Sequence, residues 1–194
     1  MPPVRVLILG HSFIRRLREF LASHVSLNTN FLLAECCEIK WHGIGGRTVS
    51  KVRDFDLGIV EIFRPDIVIL QLGSNDLVDG DPLSIASAIE DLVTLLHDSF
   101  QVKRVCVCQT LYRVSSPAYN QRVRDLIKYL KVLLEPLPYS LYWKHRGFWN
   151  STVGLYSGDG VHLNARGHYR LYRSLRGAVL RSLHSLHNST SKHS

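Results

Sequence analysis

Residues 158–164, Gly-Asp-Gly-Val-His-Leu-Asn, place the carboxylate of Asp159 three positions before the imidazole of His162 in a turn rich in glycine. A carboxylate at that spacing can accept a hydrogen bond from one ring nitrogen and leave the other free to take a proton. Near the start of the chain, an apolar run stops at Gly10, and the hydroxyl of Ser12 follows. Serine becomes a useful nucleophile only when a neighbouring base removes its proton. The two segments therefore make chemical sense together, and the fold must bring them to one place.

A glycine-rich segment at residues 43–48, Gly-Ile-Gly-Gly-Arg-Thr, follows a second apolar run and precedes a helical pattern. Glycine there lets a backbone N–H approach a ligand closely, so the segment could bind an anion or form a plain turn. It lacks the Gly-Lys-Ser/Thr ending of a P-loop and the spacing of a dinucleotide fingerprint, which argues against a nucleotide cofactor.

The segment Gly-Ser-Asn-Asp at residues 73–76 ends a third apolar run. The side chain of Asn75 can donate an N–H to the same point as backbone N–H groups of the two earlier segments, and three such donors would form an oxyanion hole. For Asn75 and Asp76 in isolation, an Asx turn or a helix cap is the simpler interpretation. Ser12 in isolation could likewise be the N-cap of a helix.

Apolar runs with the character of buried strands alternate with segments whose apolar residues recur every three or four positions. We predict strands at residues 4–9, 31–39, 66–72, 104–110 and 140–144, and helices at residues 13–24, 48–63, 82–100, 119–134 and 165–186. Strands that are apolar on both faces and alternate with helices indicate a mainly parallel five-stranded sheet covered on both sides, a three-layer α/β sandwich. In such sheets ligands bind beyond the carboxyl ends of the strands, where the three loops fall.

The chain has 194 residues, 45% hydrophobic and 21% charged, which is typical of a soluble globular protein. We predict one domain over residues 1–187 and a disordered tail at residues 188–194, which are polar and lack an apolar anchor. No apolar stretch approaches the roughly 20 residues needed to cross a bilayer, and the run at residues 6–9 is too short for a signal peptide. We therefore expect an intracellular, cytoplasmic protein.

All four cysteines, Cys36, Cys37, Cys106 and Cys108, fall within predicted strands. Free cysteine behaves as a small buried hydrophobe, so packing in a reducing compartment is the expected role. Cys106 and Cys108 are one residue too close for a Cys-x-x-Cys unit, and no His-x-x-x-His pair accompanies them, so we expect no metal site.

The net charge of +8 favours anionic partners without identifying them, and nucleic acid, acidic lipid and anionic substrates all stay open. Much of the excess lies in predicted helices, where Arg166, Arg170 and Arg173 would share one face. A solvated helix face is the simpler interpretation, and a binding surface is the alternative. The same helix contains His168, His184 and His187, which we expect to be solvated, and Asn164 is predicted to be its N-cap.

In this chain order the segments resemble the SGNH hydrolase superfamily, also called GDSL-like esterases and lipases, over nearly the whole sequence. Residues 10–12 are similar to the first block, Gly46 to the second-block glycine, residues 73–76 to the third block and residues 159–162 to the last. The resemblance implies a flavodoxin-like SGNH fold, no metal or organic cofactor, and a serine esterase. Acetylated sugars and phospholipids are among the substrates that the superfamily admits.

The resemblance also implies the role of each site residue. Ser12 would be the nucleophile, His162 the base and Asp159 the group that orients it, while the Ser12 N–H, the Gly46 N–H and the Asn75 side chain would bind the oxyanion. We expect small acyl groups, because no long apolar insertion is present that could form a lid or an acyl tunnel. The alternative is a module on the same fold that binds nucleic acid or anionic lipid through basic helices, with weak or no catalysis.

The first block departs from the usual pattern, because His11 stands where an Asp is usual. His11 could change the hydrogen bonding of the nucleophile or face into the turn, and the second is the simpler interpretation. The run Gly-His-Ser-Phe at residues 10–13 also resembles the esterase module in the first open reading frame of some LINE-type retrotransposons.

The second block departs as well, because Trp41-His42 stand where an Asn often precedes it and Arg47 replaces a common Asp. Arg47 could favour an ester with a nearby negative group. An ordinary salt bridge to Asp54 or Asp76 is an equal alternative.

Overall fold

The computed structural model describes residues 3–24, 26–149 and 153–190. Its elements in chain order are β1 (Val4–Gly10), α1 (Ser12–Ala22), β2 (Cys37–Gly43), α2 (Val49–Phe55), α3 (Leu57–Phe63), β3 (Ile67–Gln71), α4 (Pro82–Asp98), β4 (Arg104–Cys108), α5 (Pro117–Leu134), β5 (Ser140–Trp143) and α6 (Ala165–Thr190), with 3-10 turns at Asp76–Val78 and Val153–Leu155. The five strands form one parallel sheet in the order β2-β1-β3-β4-β5.

The central strands are buried on both faces, and alternate residues feed two separate cores. Val6 and Ile8 of β1 pack with α1 and α6, whereas Leu7 and Leu9 pack with α2, α3, α4 and α5. Because side chains alternate across a strand, a continuous apolar run supplies both layers at once. The predicted three-layer α/β sandwich is confirmed.

The sheet topology places three loops side by side. β1 pairs with β2 on one side and β3 on the other, and in this register Gly10 lies opposite both Gly43 and Gln71. The segments that follow the three strands therefore start at the same carboxyl edge, on either side of the central strand where the chain changes direction. Ligands bind at such a point in open α/β sheets.

The second strand begins later than predicted. Residues 31–39 were expected to be extended, but β2 spans Cys37–Gly43 and the residues before it form turns. Phe31 and Leu32 have left-handed φ values of 56° and 59°. The side-chain oxygens of Asn28 and Asn30 stabilise the turn, because each accepts a hydrogen bond from the backbone N–H two residues later. Phe31 is nevertheless fully buried, so the apolar run fills the core from a turn instead of a strand.

The position of Cys36 before β2 also corrects the expectation for the cysteines. Cys36 is exposed on the turn, while Cys37, Cys106 and Cys108 are buried as predicted. Burial raises the pKa of the Cys37 thiol to about 11 and that of Cys108 well above its usual value, which keeps both protonated and unreactive.

The long helix predicted for residues 48–63 is divided at Asp56, which ends α2 and precedes α3 with φ −112° and ψ −6°. Its carboxylate is 3% exposed and points to partners in the loop after β2. The contacts of Asp56 with Arg47 and His42 fix it between the two helices, at a position where the apolar pattern alone predicts one continuous helix.

The last helix extends to Thr190, so the predicted domain boundary at residue 187 lies inside it, and residues 191–194 are outside the described part of the chain. Asn164 caps it as predicted, since its Oδ1 accepts a hydrogen bond from the Gly167 N–H at 3.0 Å. The expectation that His168 is solvated is wrong: it is 8% exposed and stacks on Phe20. Within the described ranges, the helices are all too short or too polar to cross a bilayer.

Candidate active site

The three loops at the carboxyl edge of the sheet are joined to one another by hydrogen bonds. The Ile44 N–H donates to the Gly10 carbonyl at 3.1 Å, and the His11 N–H donates to the Gln71 carbonyl at 3.4 Å. The side-chain amide of Asn75 donates to the Arg47 carbonyl at 2.8 Å. The structure thus assembles the segments of Ser12, Gly46 and Asn75 into one continuous surface.

Ser12 is the first residue of α1 and is half-buried. The N-cap is His11, whose Nδ1 accepts from the Phe13 N–H at 3.5 Å, so the alternative of Ser12 as N-cap is wrong. The Ser12 hydroxyl is therefore not needed to cap the helix. Its backbone N–H lies in the first turn, where the helix dipole favours negative charge.

His11 is fully buried, and its Nε2 has no hydrogen-bond partner among the described residues. Burial, with the charges of Arg113 and His162, lowers the pKa of His11 to about 3, so its imidazole is neutral at physiological pH. The ring faces into the turn and caps α1, which is the simpler of the two expectations.

Asp159 and His162 form the closest polar pair of the last loop. Nδ1 of His162 lies 2.6 Å from Oδ2 of Asp159, while Oδ1 accepts the backbone N–H groups of Val161 and His162, both at 2.9 Å. These hydrogen bonds lower the pKa of the Asp159 carboxyl to about 2 and keep it ionised. The carboxylate therefore fixes both the backbone and the ring of His162.

The His162 ring lies against α1. Its centroid is 6.4 Å from that of Phe13, the residue after Ser12, and the charge of His162 acts on the pKa of His11, the residue before it. The histidine side chain is 27% exposed, so solvent or substrate reaches it. The loop of His162 therefore lies at the start of α1, the helix that Ser12 begins.

Gly46 and Asn75 lie on the second and third loops, which are joined by the hydrogen bond from Asn75 to the Arg47 carbonyl. Gly46 has φ +71°, a backbone conformation that L side chains rarely adopt, and a Cβ built there would have nothing within 4 Å. Asn75 uses one N–H on the Arg47 carbonyl and retains a second donor on the same nitrogen. Asp76 secures the arrangement, because its Oδ1 accepts from the Val49 N–H at 2.9 Å.

Arg47 forms an ordinary salt bridge, which was one of the two alternatives, but its partner is Asp56 and neither Asp54 nor Asp76. Its Nε and Nη2 donate to the two carboxylate oxygens at 2.8 and 3.0 Å, and His42 contacts the same carboxylate at 3.1 Å. A bidentate pair of this kind neutralises the guanidinium and fixes its direction. Arg47 is thus part of the support of the second loop.

The segment between β4 and α5, residues 109–116, also contributes to the site and was not predicted from the sequence. The Val114 N–H donates to the Gly160 carbonyl at 2.8 Å, and Nη2 of Arg113 donates to the Ser74 carbonyl at 3.2 Å. This segment therefore links the third loop to the loop of His162. Nothing in the local pattern indicated it, since the partners are 39 and 46 positions away in the chain.

A cleft with a volume of about 1060 Å³ lies elsewhere, between the end of β5 and the first half of α6. It is lined by Tyr169 and by the cations Lys144, Arg146, Arg166, Arg170 and Arg173. Arg166, Arg170 and Arg173 share one helix face, as predicted. None of the described lining residues is a candidate catalytic group, so this cleft is separate from the candidate active site.

A model of the GDSL-like lipase/acylhydrolase family matches residues 11–170, and the chain belongs to this family. The matched range includes Ser12, Gly46, Asn75, Asp159 and His162. No curated protein sequence matches the chain.

Solved structures with the same fold cover nearly the whole chain. The acetyl xylan esterase AlAXEase is 17% identical with a TM-score of 0.71, over 91% of this chain and 100% of its own. The acetylxylan esterase Axe2 from Geobacillus stearothermophilus is 18% identical with a TM-score of 0.68, over 93% and 94% of the two chains. A GDSL-like lipase from Bacteroides thetaiotaomicron is 15% identical with a TM-score of 0.69, over 92% and 88%.

At these identities the likeness establishes the fold, which is that of the SGNH hydrolases. The narrower resemblance to a retrotransposon esterase module receives no support from these matches.

Proposed function

We propose that the protein is a serine esterase that hydrolyses carboxylic esters through Ser12, His162 and Asp159. The observation that carries the proposal is the fixed His162 ring: Asp159 holds its Nδ1 at 2.6 Å, and the ring packs beside Phe13 at the start of α1. A neutral imidazole with Nδ1–H directed to a carboxylate has Nε2 available as the base, which is what a serine nucleophile requires.

The reaction would proceed in two halves. Ser12 Oγ attacks the ester carbonyl while His162 takes its proton, and the tetrahedral intermediate collapses as His162 returns that proton to the leaving alcohol. Water then attacks the acyl-enzyme with His162 again as base, which releases the acid and restores Ser12. In both halves the oxyanion would accept from the Ser12 N–H, the Gly46 N–H and the Asn75 side chain.

Short acyl groups are the proposed substrates. The sequence has no long apolar insertion that could form an acyl tunnel. Two of the structures with the same fold are those of acetylxylan esterases, and another is that of a catalytic mutant of one of them in which a serine is replaced by alanine. They support an acetyl ester as the first substrate to test and a serine nucleophile as the mechanism.

Hydrolysis of a short-chain aryl ester by purified protein tests the proposal. Ser12→Ala and His162→Ala should each lower kcat/KM by at least about 10²-fold, because each removes a group on which the others depend. Ser50→Ala and His184→Ala are matched controls at exposed positions of α2 and α6 and should retain the parent rate. A fluorophosphonate should phosphonylate Ser12 Oγ with loss of fluoride, detected as a mass increase on its peptide. Equal rates in Ser12→Ala and the parent would refute the assignment.

A second candidate function is binding of single-stranded nucleic acid by the basic cleft. Residues 136–194 contain eight of the 24 Lys and Arg residues but one of the 16 Asp and Glu residues. Among the described residues, the cations that line the cleft have no carboxylate partner within 4.0 Å, and Lys144 lies over the ring of Trp149 at 4.8 Å. Cations next to exposed aromatic rings suit phosphates and stacked bases.

Fluorescence anisotropy with a labelled single-stranded oligonucleotide tests this second function. Replacement of Arg166, Arg170 and Arg173 by Gln should weaken binding and reduce the salt slope by about two, since each phosphate contact on a single strand contributes about 0.7 to it. Unchanged binding in the triple variant would exclude a nucleic-acid site in the cleft, and equal binding of anionic lipid vesicles would refute selectivity for nucleic acid. Esterase activity should be independent of the outcome.

A further inference from the structure

Arg113 lies half-buried between the third loop and the loop of His162, and its backbone is clamped. The side chain of Asn120, 4% exposed, accepts from the Arg113 N–H at 2.8 Å and donates to the Arg113 carbonyl at 2.7 Å. The next residue, Val114, donates to Gly160 at 2.8 Å. The position of Arg113 is therefore fixed from both sides.

The guanidinium of Arg113 is also restrained. Its central carbon lies 4.0 Å from the ring centroid of Tyr119, and Nη2 donates to the Ser74 carbonyl at 3.2 Å, directly before Asn75. Tyr119 is itself held, since its hydroxyl and the Ser74 hydroxyl are 2.9 Å apart. A cation held in this way loses little rotamer entropy when it binds an anion.

The guanidinium of Arg113 has no carboxylate within 4.0 Å among the described residues, whereas that of Arg47 is paired with Asp56. Nε of Arg113 is buried and has no partner in the described part of the chain. Nη2 of Arg113 donates to the residue before Asn75, and Val114 donates to the loop of His162, so the guanidinium lies where the third loop meets the loop of the proposed base.

We propose that Arg113 forms a subsite that binds a negatively charged group of the ester, a carboxylate or a phosphate. The inference rests on the proposed esterase function and specifies its substrate class: an ester with an anion on its acyl or alcohol part. A planar, restrained guanidinium suits both anions, because its N–H groups match two oxygens at once. Arg47 has the same chemistry, but its Nε and Nη2 already donate to Asp56.

The experiment compares anionic esters with neutral esters of similar size. On the alcohol side, 4-acetoxybenzoate is paired with 4-acetoxybenzamide, and 4-acetoxyphenyl phosphate supplies the phosphate. On the acyl side, an aryl hemisuccinate is paired with the aryl butyrate. The parent should prefer the anionic member of at least one pair. Arg113→Gln should reduce that preference about 10- to 100-fold, the range for a hydrogen bond to a charged group, mainly through KM, while the neutral ester changes by less than about threefold.

Two further variants separate binding from structure. Arg113→Lys keeps the charge and should retain part of the preference. Arg122→Gln is the matched control, because Arg122 lies on α5 and also donates to main-chain carbonyls, those of Val78 and Gly80. This variant should change the hydrolysis of neither the anionic nor the neutral ester. If Arg113→Gln lowers the rates on neutral and anionic esters equally, or the parent shows no preference in any pair, the subsite is refuted. If the parent hydrolyses no ester at all, neutral ones included, the esterase proposal fails and the subsite with it.

Discussion

Oδ2 of Asp159 lies 2.6 Å from Nδ1 of His162, while Oδ1 of the same carboxylate accepts two backbone N–H groups of the loop. One side chain thus both shapes the loop and orients the ring. The two tasks use different oxygens, and a substitution can separate them.

Asp159→Asn should lower kcat/KM by about 10²- to 10⁴-fold with little change in the fold. An amide oxygen can still accept from Val161 and His162, but the NH₂ group cannot accept from Nδ1, so the ring loses the tautomer that leaves Nε2 as the base. Steady-state kinetics on an aryl ester, with circular dichroism as the check on folding, would measure both effects. A variant that stays folded and works within twofold of the parent would show that Asp159 is only a loop anchor.

Stability should decrease as the pH falls from about 6.5 to 4, because folding buries neutral histidines. Burial lowers the pKa of His11 and His145 to about 3 and that of His168 to about 4. Between these values and 6.5 the unfolded chain binds more protons than the folded chain, so protonation favours unfolding. The lowered carboxyl pKa of Asp159, about 2, affects stability only at lower pH. The histidines therefore drive the loss of stability in this window, and the pKa of the Asp76 carboxyl, raised by burial, opposes it in part.

His168→Phe tests the contribution of one of these rings. His168 stacks on Phe20 at 5.2 Å, and Arg16 and His162 add to the effect of burial on its pKa while Glu19 opposes it. Phenylalanine keeps the ring contact with Phe20 but cannot be protonated. The slope of the unfolding free energy against pH should therefore decrease between pH 6 and 4, by an amount that corresponds to at most one proton. Urea titrations at several pH values measure it, and the exposed His184→Gln is the control. An unchanged slope would mean that His168 is protonated in the folded state.

The sequence predicted the fold well where one strand supplies both cores, as β1 does through Val6 and Leu7. It failed at Phe31, because an apolar residue that fills the core from a turn looks like part of a strand. The candidate catalytic residues can be recognised from the local sequence, because Ser12 follows a glycine turn and Asp159 lies three residues before His162. Arg113 cannot be recognised in this way, since its place depends on Asn120 and on Ser74 in another loop.

Asn75→Ala should reduce kcat by about 10²- to 10³-fold, the usual effect of removing one oxyanion donor, with a smaller change in KM. It also removes the hydrogen bond to the Arg47 carbonyl, which should lower the free energy of unfolding by about 1 kcal/mol. Kinetics and urea unfolding separate the two effects. Asn188→Ala, at an exposed position of α6, is the control. Loss of stability without loss of kcat would assign Asn75 to loop support alone.

Asp56→Ala should lower the free energy of unfolding by about 3 to 5 kcal/mol, because it leaves the Arg47 guanidinium without its buried partner. The carboxylate is 3% exposed and accepts from Arg47 at 2.8 and 3.0 Å and lies 3.1 Å from His42.

The double variant Arg47→Met with Asp56→Leu should lose less stability than Asp56→Ala, because it leaves neither member of the pair buried without its partner. Glu19→Ala removes an exposed partner of Arg15 at 3.1 Å and should change stability by less than about 1 kcal/mol. Urea unfolding of the four proteins completes the comparison. A loss in Asp56→Ala no larger than that in Glu19→Ala would contradict a supporting role for the pair, and Arg47 would then be a second cation available to substrate.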